Sequence, residues 1–550
     1  MIVLISILLL TQVVMIATLD DYGTFVDEVW YFRAAWLIED WVHRVAAGET
    51  SLRAPDPAVW EYNVEHPPFA KWVYAASDAL LGPGVSQERY GADYDERVDS
   101  PGALRAPLVP GPLGPIAGVR AGALVFLLLA QIAAFRLAAA EAGPSAGLFA
   151  AAALPAMPHV FGHAHFACLD LPVAALELAT LAWVARLARA DRLGARRLLP
   201  LAALFGLGVA TKLNALFLVG AIVPWVLLVA PRRTLVIAAT LAIGAAILFY
   251  AVWPYLWTDP VGRLRHLVEF HLAHRTFPVY FFGTQYDGYT VPRTYLPAML
   301  LLTTPIPFLV LAAAACVRVR RRHSLVTLLL LGAAASMLPF VALRSPVYDG
   351  VRHFLLAPLV VGVLAGVGFA TLMDGAKKWL RADRSPAPRV AQAAPLLVGA
   401  ALLGCGVWAV ASVQPYPLAY YNAFVNGPRA GLPPPQGAGL ESTCWGAEAV
   451  TPEVVSWINA NLPERATIDW NAGSYTSLRE YQRYGLLRAD FTFAQGADYW
   501  VLETNQAYWT SRLLWKLFTN GQAGPYHGVK SFGLKGIDLV RIYQRAPVAQ

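Results

Sequence analysis

Charge is scarce in this chain. Only 14% of its 550 residues are Asp, Glu, Lys or Arg, while 57% are hydrophobic and the mean hydropathy is +0.48. A soluble domain carries about 25% charged residues. The deficit excludes a disordered or fibrous chain and argues against a wholly soluble one. Cysteine is scarce too, at four residues. Cys168, Cys316 and Cys405 fall in apolar runs and Cys444 stands alone in a polar region, which excludes a disulfide framework and leaves no intramolecular disulfide expected. The chain also lacks a convincing internal repeat. Its net charge of +7, from 43 basic and 36 acidic residues, would by itself point to nucleic acid or acidic lipid. Where those charges sit decides otherwise.

Long apolar runs are abundant. A spanning helix needs roughly 20 mainly apolar residues, and about eleven candidates occur. They lie near 2–18, 118–137, 144–160, 166–187, 198–211, 213–230, 234–253, 295–317, 324–343, 353–373 and 391–412. The first has no basic leader and no clear small-residue cleavage site, so it is expected as a retained span rather than a signal peptide. Four short loops are basic: Arg186, Arg189, Arg192, Arg196 and Arg197; then Arg232 and Arg233; then Arg318, Arg320, Arg321 and Arg322; then Lys377, Lys378, Arg381, Arg384 and Arg389. With eleven spans and a cytoplasmic N-terminus, all four fall inside, as the positive-inside bias requires. The expectation is a mainly α, polytopic protein of the cell (inner or cytoplasmic) membrane with about 11 spans. The net positive charge is then a topology signal, and no nucleic-acid partner is expected.

Three polar segments fall outside: 19–117, 254–294 and 413–550. The first carries 16 acidic against 7 basic residues. The last changes character. Thr451-Pro452-Glu453 opens a helix, with Val454, Val455, Ile458 and Leu462 at helical spacing. Strand-like runs follow near 466–470, 490–493 and 499–503, with helical character near 475–485, and 529–544 reads as a hairpin around Gly533–Gly536. The expected organisation is a membrane catalytic domain over 1–412, with interfacial helices in the 19–117 loop, and a small extracytoplasmic α/β domain over 413–550.

Several clusters can carry chemistry. Asp20-Asp21 and Asp27-Glu28 follow the first span directly, and carboxylates at a membrane boundary commonly mark a site; a solvated loop start is the plain alternative. Glu65-His66-Pro67-Pro68 is held by its prolines in an extended turn. Phe69, Lys71, Trp72, Val73 and Tyr74 then suit an interfacial helix, with Lys71 reaching toward lipid phosphate. Phe161-Gly-His163-Ala-His165 leads into Asp170-Leu-Pro172. The two histidines lack a clear third ligand and argue weakly for metal, whereas an Asp inside an apolar run is a functional candidate. Lys212, between two short spans, is placed to pair with Asp170, to hold a phosphate, or simply to snorkel. Arg344, Tyr348, Asp349, Arg352 and His353 crowd one outer loop, and Arg263, Arg265, His266, His274 and Arg275 another, against the orientation rule. Acidic groups facing cationic loops fit transfer of a group from a lipid phosphate, where a carboxylate serves as base and cations receive the leaving phosphate.

The order of these motifs resembles the GT-C glycosyltransferases, in particular the protein O-mannosyltransferase and aminoarabinose transferase group. It runs from Asp27-Glu28 to His66-Pro67-Pro68 with Lys71, then Asp170-Leu-Pro and Thr211-Lys212. Pro292-Arg-Thr-Tyr295-Leu-Pro297, Thr304-Pro305-Ile-Pro307, Tyr348-Asp-Gly-Val-Arg352-His353-Phe354, Tyr420-Tyr421-Asn422 and Cys444-Trp445-Gly446 add to it. The resemblance implies a polyprenyl- or dolichyl-phosphate-linked sugar donor, hexosyl or mannosyl in type, and inverting transfer outside the cytoplasm. The acceptor it implies is a protein hydroxyl, a glycan or a lipid. Asp27 and Glu28 would be the catalytic residues, with Asp27 as the base. His66, Lys71, Asp170, Lys212 and Arg352 would line the cavity or contact donor phosphate, and Glu65 matches a position that in some relatives helps hold a divalent cation. The sequence departs from the pattern at His66, where some relatives place a phosphate-contacting lysine and imidazole is neutral near pH 7. The competing class is a lipid-linked sugar transporter or flippase, which would show repeats and midplane polar groups. A decayed, binding-only protein is less compatible with intact Asp27, Glu65, Asp170 and Lys212.

Overall fold

The computed structural model describes residues 1–83, 111–273, 276–320, 324–342, 345–382, 388–441, 448–470, 476–504 and 509–547. Cys444-Trp445-Gly446, His274, Arg275, Arg321, Arg322, Arg344 and Arg384 lie outside the described residues.

Every apolar run forms helix, but the runs are not eleven equal crossings. Among the described residues, five helices are long and apolar enough to cross a membrane: Pro115–Ala142, Asp170–Ala188, Pro231–Ala251, Leu325–Ala342 and Leu356–Ala376. A bent pair, Tyr295–Leu302 and Ile306–Val319, makes a sixth if counted as one span; its halves meet at 114°. Ile2–Ala17, Pro144–Ala153, Leu213–Val229 and Pro395–Ala411 are apolar but shorter. The physical reason is local. The run at 144–160 breaks between the helices Pro144–Ala153 and Pro158–His163, where Pro155 and Pro158 interrupt the backbone hydrogen bonds. Helix does not resume until Asp170, and the run at 213–230 begins as a 3₁₀ turn over Leu213–Leu218. Close approach between helices rests on small residues. Gly206 of helix Ala195–Val209 lies against the Gly244 backbone, and Gly368 lies against the Leu311 carbonyl, so a side-chain carbon at either would collide.

The first polar loop folds into helices Val26–Ala46, Pro57–Trp60 and Phe69–Leu81. Three indoles hold them together: Trp60 sits 5.1 Å from Trp41 and 5.4 Å from Trp72, centroid to centroid. Helix Phe69–Leu81 forms as expected, but Lys71 does not point to lipid. It is buried, and its Nζ donates to the carbonyls of Asn63 (2.7 Å) and His66 (2.9 Å). The Pro67-Pro68 turn exposes carbonyls without helical partners, and the lysine satisfies two of them.

Strands β1 (Pro278–Phe281) and β2 (Thr284–Asp287) form a small hairpin in the second polar segment. The remaining strands are β3 (Thr467–Trp470), β4 (Thr492–Phe493), β5 (Tyr499–Glu503), β6 (Tyr526–Leu534) and β7 (Ile537–Arg545), in the sheet order β4-β3-β5-β7-β6. β3 pairs parallel to β4 and β5, whereas β5, β7 and β6 are antiparallel. The β6–β7 turn is Lys535-Gly536, both with positive φ, as a tight hairpin turn requires. Helices Pro452–Asn461, Thr476–Arg483 and Trp509–Thr519 complete this mixed α/β region. It packs on the first polar loop: the Tyr481 hydroxyl accepts from the Thr24 N–H (2.9 Å), and Tyr484 meets Trp36 edge to face.

Candidate active site

The site begins at the first turn of helix Val26–Ala46, where Asp27 and Glu28 sit side by side. Consecutive helical residues point about 100° apart, so the two carboxylates enter different surroundings. Glu28 turns inward. One oxygen accepts from the Phe25 N–H (3.2 Å), capping the helix, and the other accepts from the Ala167 N–H (2.8 Å). Both also bind Arg120, which reaches in from helix Pro115–Ala142. Arg120 spends its other N–H groups on the carbonyls of Leu19, Tyr22 and Gly23. Both side chains are 0% exposed, and all five guanidinium donors are used. A buried ion pair is tolerable only when completed by hydrogen bonds in this way.

Asp27 faces the opposite situation. Its carboxylate, 20% exposed, pairs with Arg352. The same guanidinium lies 2.8 Å from Asp349 and 3.2 Å from Asp170. Asp170 also takes Lys212 Nζ at 2.6 Å. Asp27, Asp170, Lys212 and Arg352, proposed from four separate stretches of sequence, therefore meet. Asp349 joins them, so three carboxylates surround two cations.

Each group is delivered by a local device. Asp170 starts helix Asp170–Ala188, where the helix dipole favours a negative charge. Lys212 is extended and precedes the 3₁₀ turn. Asp349 and Gly350 both have positive φ, and the Gly350 N–H donates to the Tyr295 hydroxyl (2.8 Å). This tight turn places Arg352 under the Phe25 ring at 4.9 Å, with Tyr348 at 5.8 Å.

His66 and Lys71 lie one layer away. Lys71 Nζ is 5.9 Å from the Tyr31 ring centre, and the His66 ring 6.3 Å from it. Tyr31 stands one turn after Asp27 on the same helix. Burial pulls the Lys71 ammonium down to about 7, with Glu65 opposing. Burial, then the charges of Lys212 and Lys71, push the His66 imidazole well below its usual range. His66 is therefore neutral and offers hydrogen bonds rather than charge. Glu65 accepts from Asn63 Nδ2 at 2.6 Å. Among the described residues no three His, Cys, Asp or Glu side chains are grouped to hold a metal ion. The three aspartates instead converge on a guanidinium.

His165 is structural: its ring nitrogens bond the Phe161 carbonyl and the Thr18 hydroxyl, both at 2.8 Å. His163 is buried, and among the described residues its Nε2 has no hydrogen-bond partner. The Tyr420-Tyr421-Asn422 motif serves the bent helix pair. Asn422 Nδ2 donates to the carbonyls of Leu301 (2.7 Å) and Thr304 (2.9 Å), and its backbone N–H donates to Leu302. These bonds satisfy carbonyls freed at the break.

Sequence reasoning missed Arg120 and Glu177. Both are buried charged residues inside apolar helices, and that signal alone could have singled them out.

No family model matches the chain, and no curated protein matches it by sequence. Solved structures do match it. ArnT of Cupriavidus metallidurans in the apo state aligns over 98% of this chain and 97% of its own, with 15% identity and a TM-score of 0.51. The same protein bound to undecaprenyl phosphate aligns over the same shares, with 14% identity and a TM-score of 0.50. ArnT is an aminoarabinose transferase of the GT-C superfamily. At this identity the likeness shows the fold alone: the chain shares the overall architecture of ArnT.

Proposed function

We propose that the protein is an integral membrane glycosyltransferase. It moves a sugar from a polyprenyl-phosphate donor to a hydroxyl of a protein, glycan or lipid acceptor on the outer face. The observation that carries this reading is the convergence of Asp27, Asp170, Lys212, Asp349 and Arg352. A carboxylate base beside two cations is what transfer from a phosphate leaving group needs. The ArnT structure with undecaprenyl phosphate shows that this fold accepts a polyprenyl phosphate in that relative.

In the proposed reaction the acceptor hydroxyl attacks the anomeric carbon from the face opposite the phosphate. Asp27 takes the hydroxyl proton as the new C–O bond forms. The bond from the anomeric carbon to the phosphate oxygen breaks, and its electron pair leaves on the polyprenyl phosphate. Configuration at the anomeric carbon inverts. Lys212 and Arg352 stabilise the departing charge. When phosphate engages Arg352, the guanidinium loosens from Asp27 and frees its carboxylate. Glu28 and Arg120 are positioning residues that hold the helix start carrying Asp27. The steps use these side chains alone.

The test compares glycans, glycoproteins and glycolipids by mass spectrometry in cells with the protein, without it, and with Asp27→Asn. Loss of one glycosylated species in the last two supports the reading. If the Asp27→Asn protein accumulates normally and restores the species in full, Asp27 is not the base. Sugar uptake into vesicles without transfer would favour the transporter class.

A further inference from the structure

A cavity of about 830 Å³ opens between helices Pro115–Ala142, Asp170–Ala188 and Ala195–Val209, at the end of the bundle that carries the basic loops. Its walls are mostly alanine and leucine, but Arg136, Arg186, Arg189 and Arg197 converge at it from all three helices, with Asp191 as the acidic lining residue. Arg186 packs over the Trp183 ring at 4.9 Å, and Trp183 Nε1 donates to the Arg197 carbonyl at 2.8 Å. Arg189 donates to the Ala140 carbonyl and Arg197 to that of Arg192. The indole and these backbone bonds thus hold cations around an apolar space.

We propose that this cavity binds an anionic glycerophospholipid, its phosphate among the arginines and its acyl chains along the alanine and leucine walls. Among the described residues, the four cations lining the cavity face one lining carboxylate and repel one another, and an anion relieves that repulsion. Basic pockets between membrane helices are suited to anionic head groups. A free phosphate would leave the apolar walls empty, and a zwitterionic head group would bring an ammonium to an already positive site. The cavity is also not the proposed donor site. Asp170 and Arg186 are sixteen residues apart on one helix, which is about 24 Å. On the orientation implied by the loop charges, the lipid comes from the cytoplasmic leaflet.

The experiment uses the delipidated full chain in neutral detergent. Dioleoylphosphatidylglycerol and dioleoylphosphatidylcholine are offered in turn, and native mass spectrometry reads the retained lipid. Arg136→Gln with Arg186→Gln removes two cations while sparing the backbone bonds of Arg189 and Arg197. Ala182→Trp fills the apolar wall and keeps every charge. Phosphatidylglycerol is expected to be retained over phosphatidylcholine. The double variant should weaken its retention roughly thirtyfold, since each arginine near a lipid surface contributes about a factor of five. Ala182→Trp should also abolish retention, and millimolar inorganic phosphate should leave it unchanged in the parent protein. Equal retention of the two lipids, retention unchanged in both variants, or displacement by inorganic phosphate would each overturn the proposal.

Discussion

Two arginine–carboxylate centres start from adjacent residues and end in opposite states. Glu28 and Arg120 are sealed, with no exposure and every donor used. Asp27 and Arg352 are open: one guanidinium is shared among three carboxylates, and Asp27 is partly exposed. Buried charge therefore has two uses in one fold. A closed pair fixes backbone, since its groups have nothing left to offer a ligand. An open, over-subscribed arginine can exchange a carboxylate for a phosphate, and that exchange is the basis of the proposed chemistry.

The comparison can be broken from either side. The largest effect is expected at Asp27. Asp27→Asn should slow transfer by about 10²- to 10⁴-fold, the range for losing a general base, with little change in the thermal midpoint. Glu28→Ala should do the reverse and lower stability by about 3–5 kcal/mol, because it leaves a buried arginine unpaired. Thermal unfolding in detergent measures this, and Glu28→Leu combined with Arg120→Leu should recover much of the loss. If Glu28→Ala instead kept its stability and lost activity, Glu28 would be the catalytic group that the sequence suggested. A smaller effect is expected at Lys212, a single cation of the open centre. Lys212→Gln should weaken binding of undecaprenyl phosphate roughly tenfold, or about 1.4 kcal/mol, as read by direct titration.

Glu441 offers a third kind of buried carboxylate, in the polar region after the last apolar helix. It accepts from the Tyr280 N–H at 3.1 Å. Burial, and then the negative charge of Asp349, push its carboxyl up to about 8. The folded chain therefore holds a proton that the unfolded chain releases near 4.5. Its contribution to stability is complete below that pH and is lost as pH rises through 8. His66 and Lys71, whose folded values are lowered, act in the opposite sense in both proteins, so the expected signature is a difference: the parent's thermal midpoint should fall relative to that of Glu441→Gln between pH 5 and 8. A parallel fall in both proteins would assign the dependence to other groups.

Parts of this arrangement were legible in the sequence. Asp27, Asp170, Lys212 and Arg352 could be named because a charge beside or within an apolar run is costly without a purpose. The hairpin at 529–544 was legible because Gly533–Gly536 marks a turn between two strand-like runs. The number of crossings was not. Breaks at Pro155 and Pro158 and at Thr303-Thr304-Pro305 shorten or bend helices that mean hydropathy treats as continuous. Lys71 was read as lipid-facing because snorkelling depends on chain length and charge, while its actual partners are carbonyls in a turn whose shape the composition does not reveal.

The sequence by itself determined that the chain would be helical and membrane-embedded. Hydrophobic burial and backbone hydrogen bonding within an apolar run are local demands, and each run met them. Only the tertiary structure decided which of two neighbouring carboxylates would be sealed and which left open. Arg120 lies 92 residues from Glu28, and Arg352 lies 325 residues from Asp27. Pairings across such separations depend on how helices pack against one another, and no local pattern around Asp27-Glu28 encodes them.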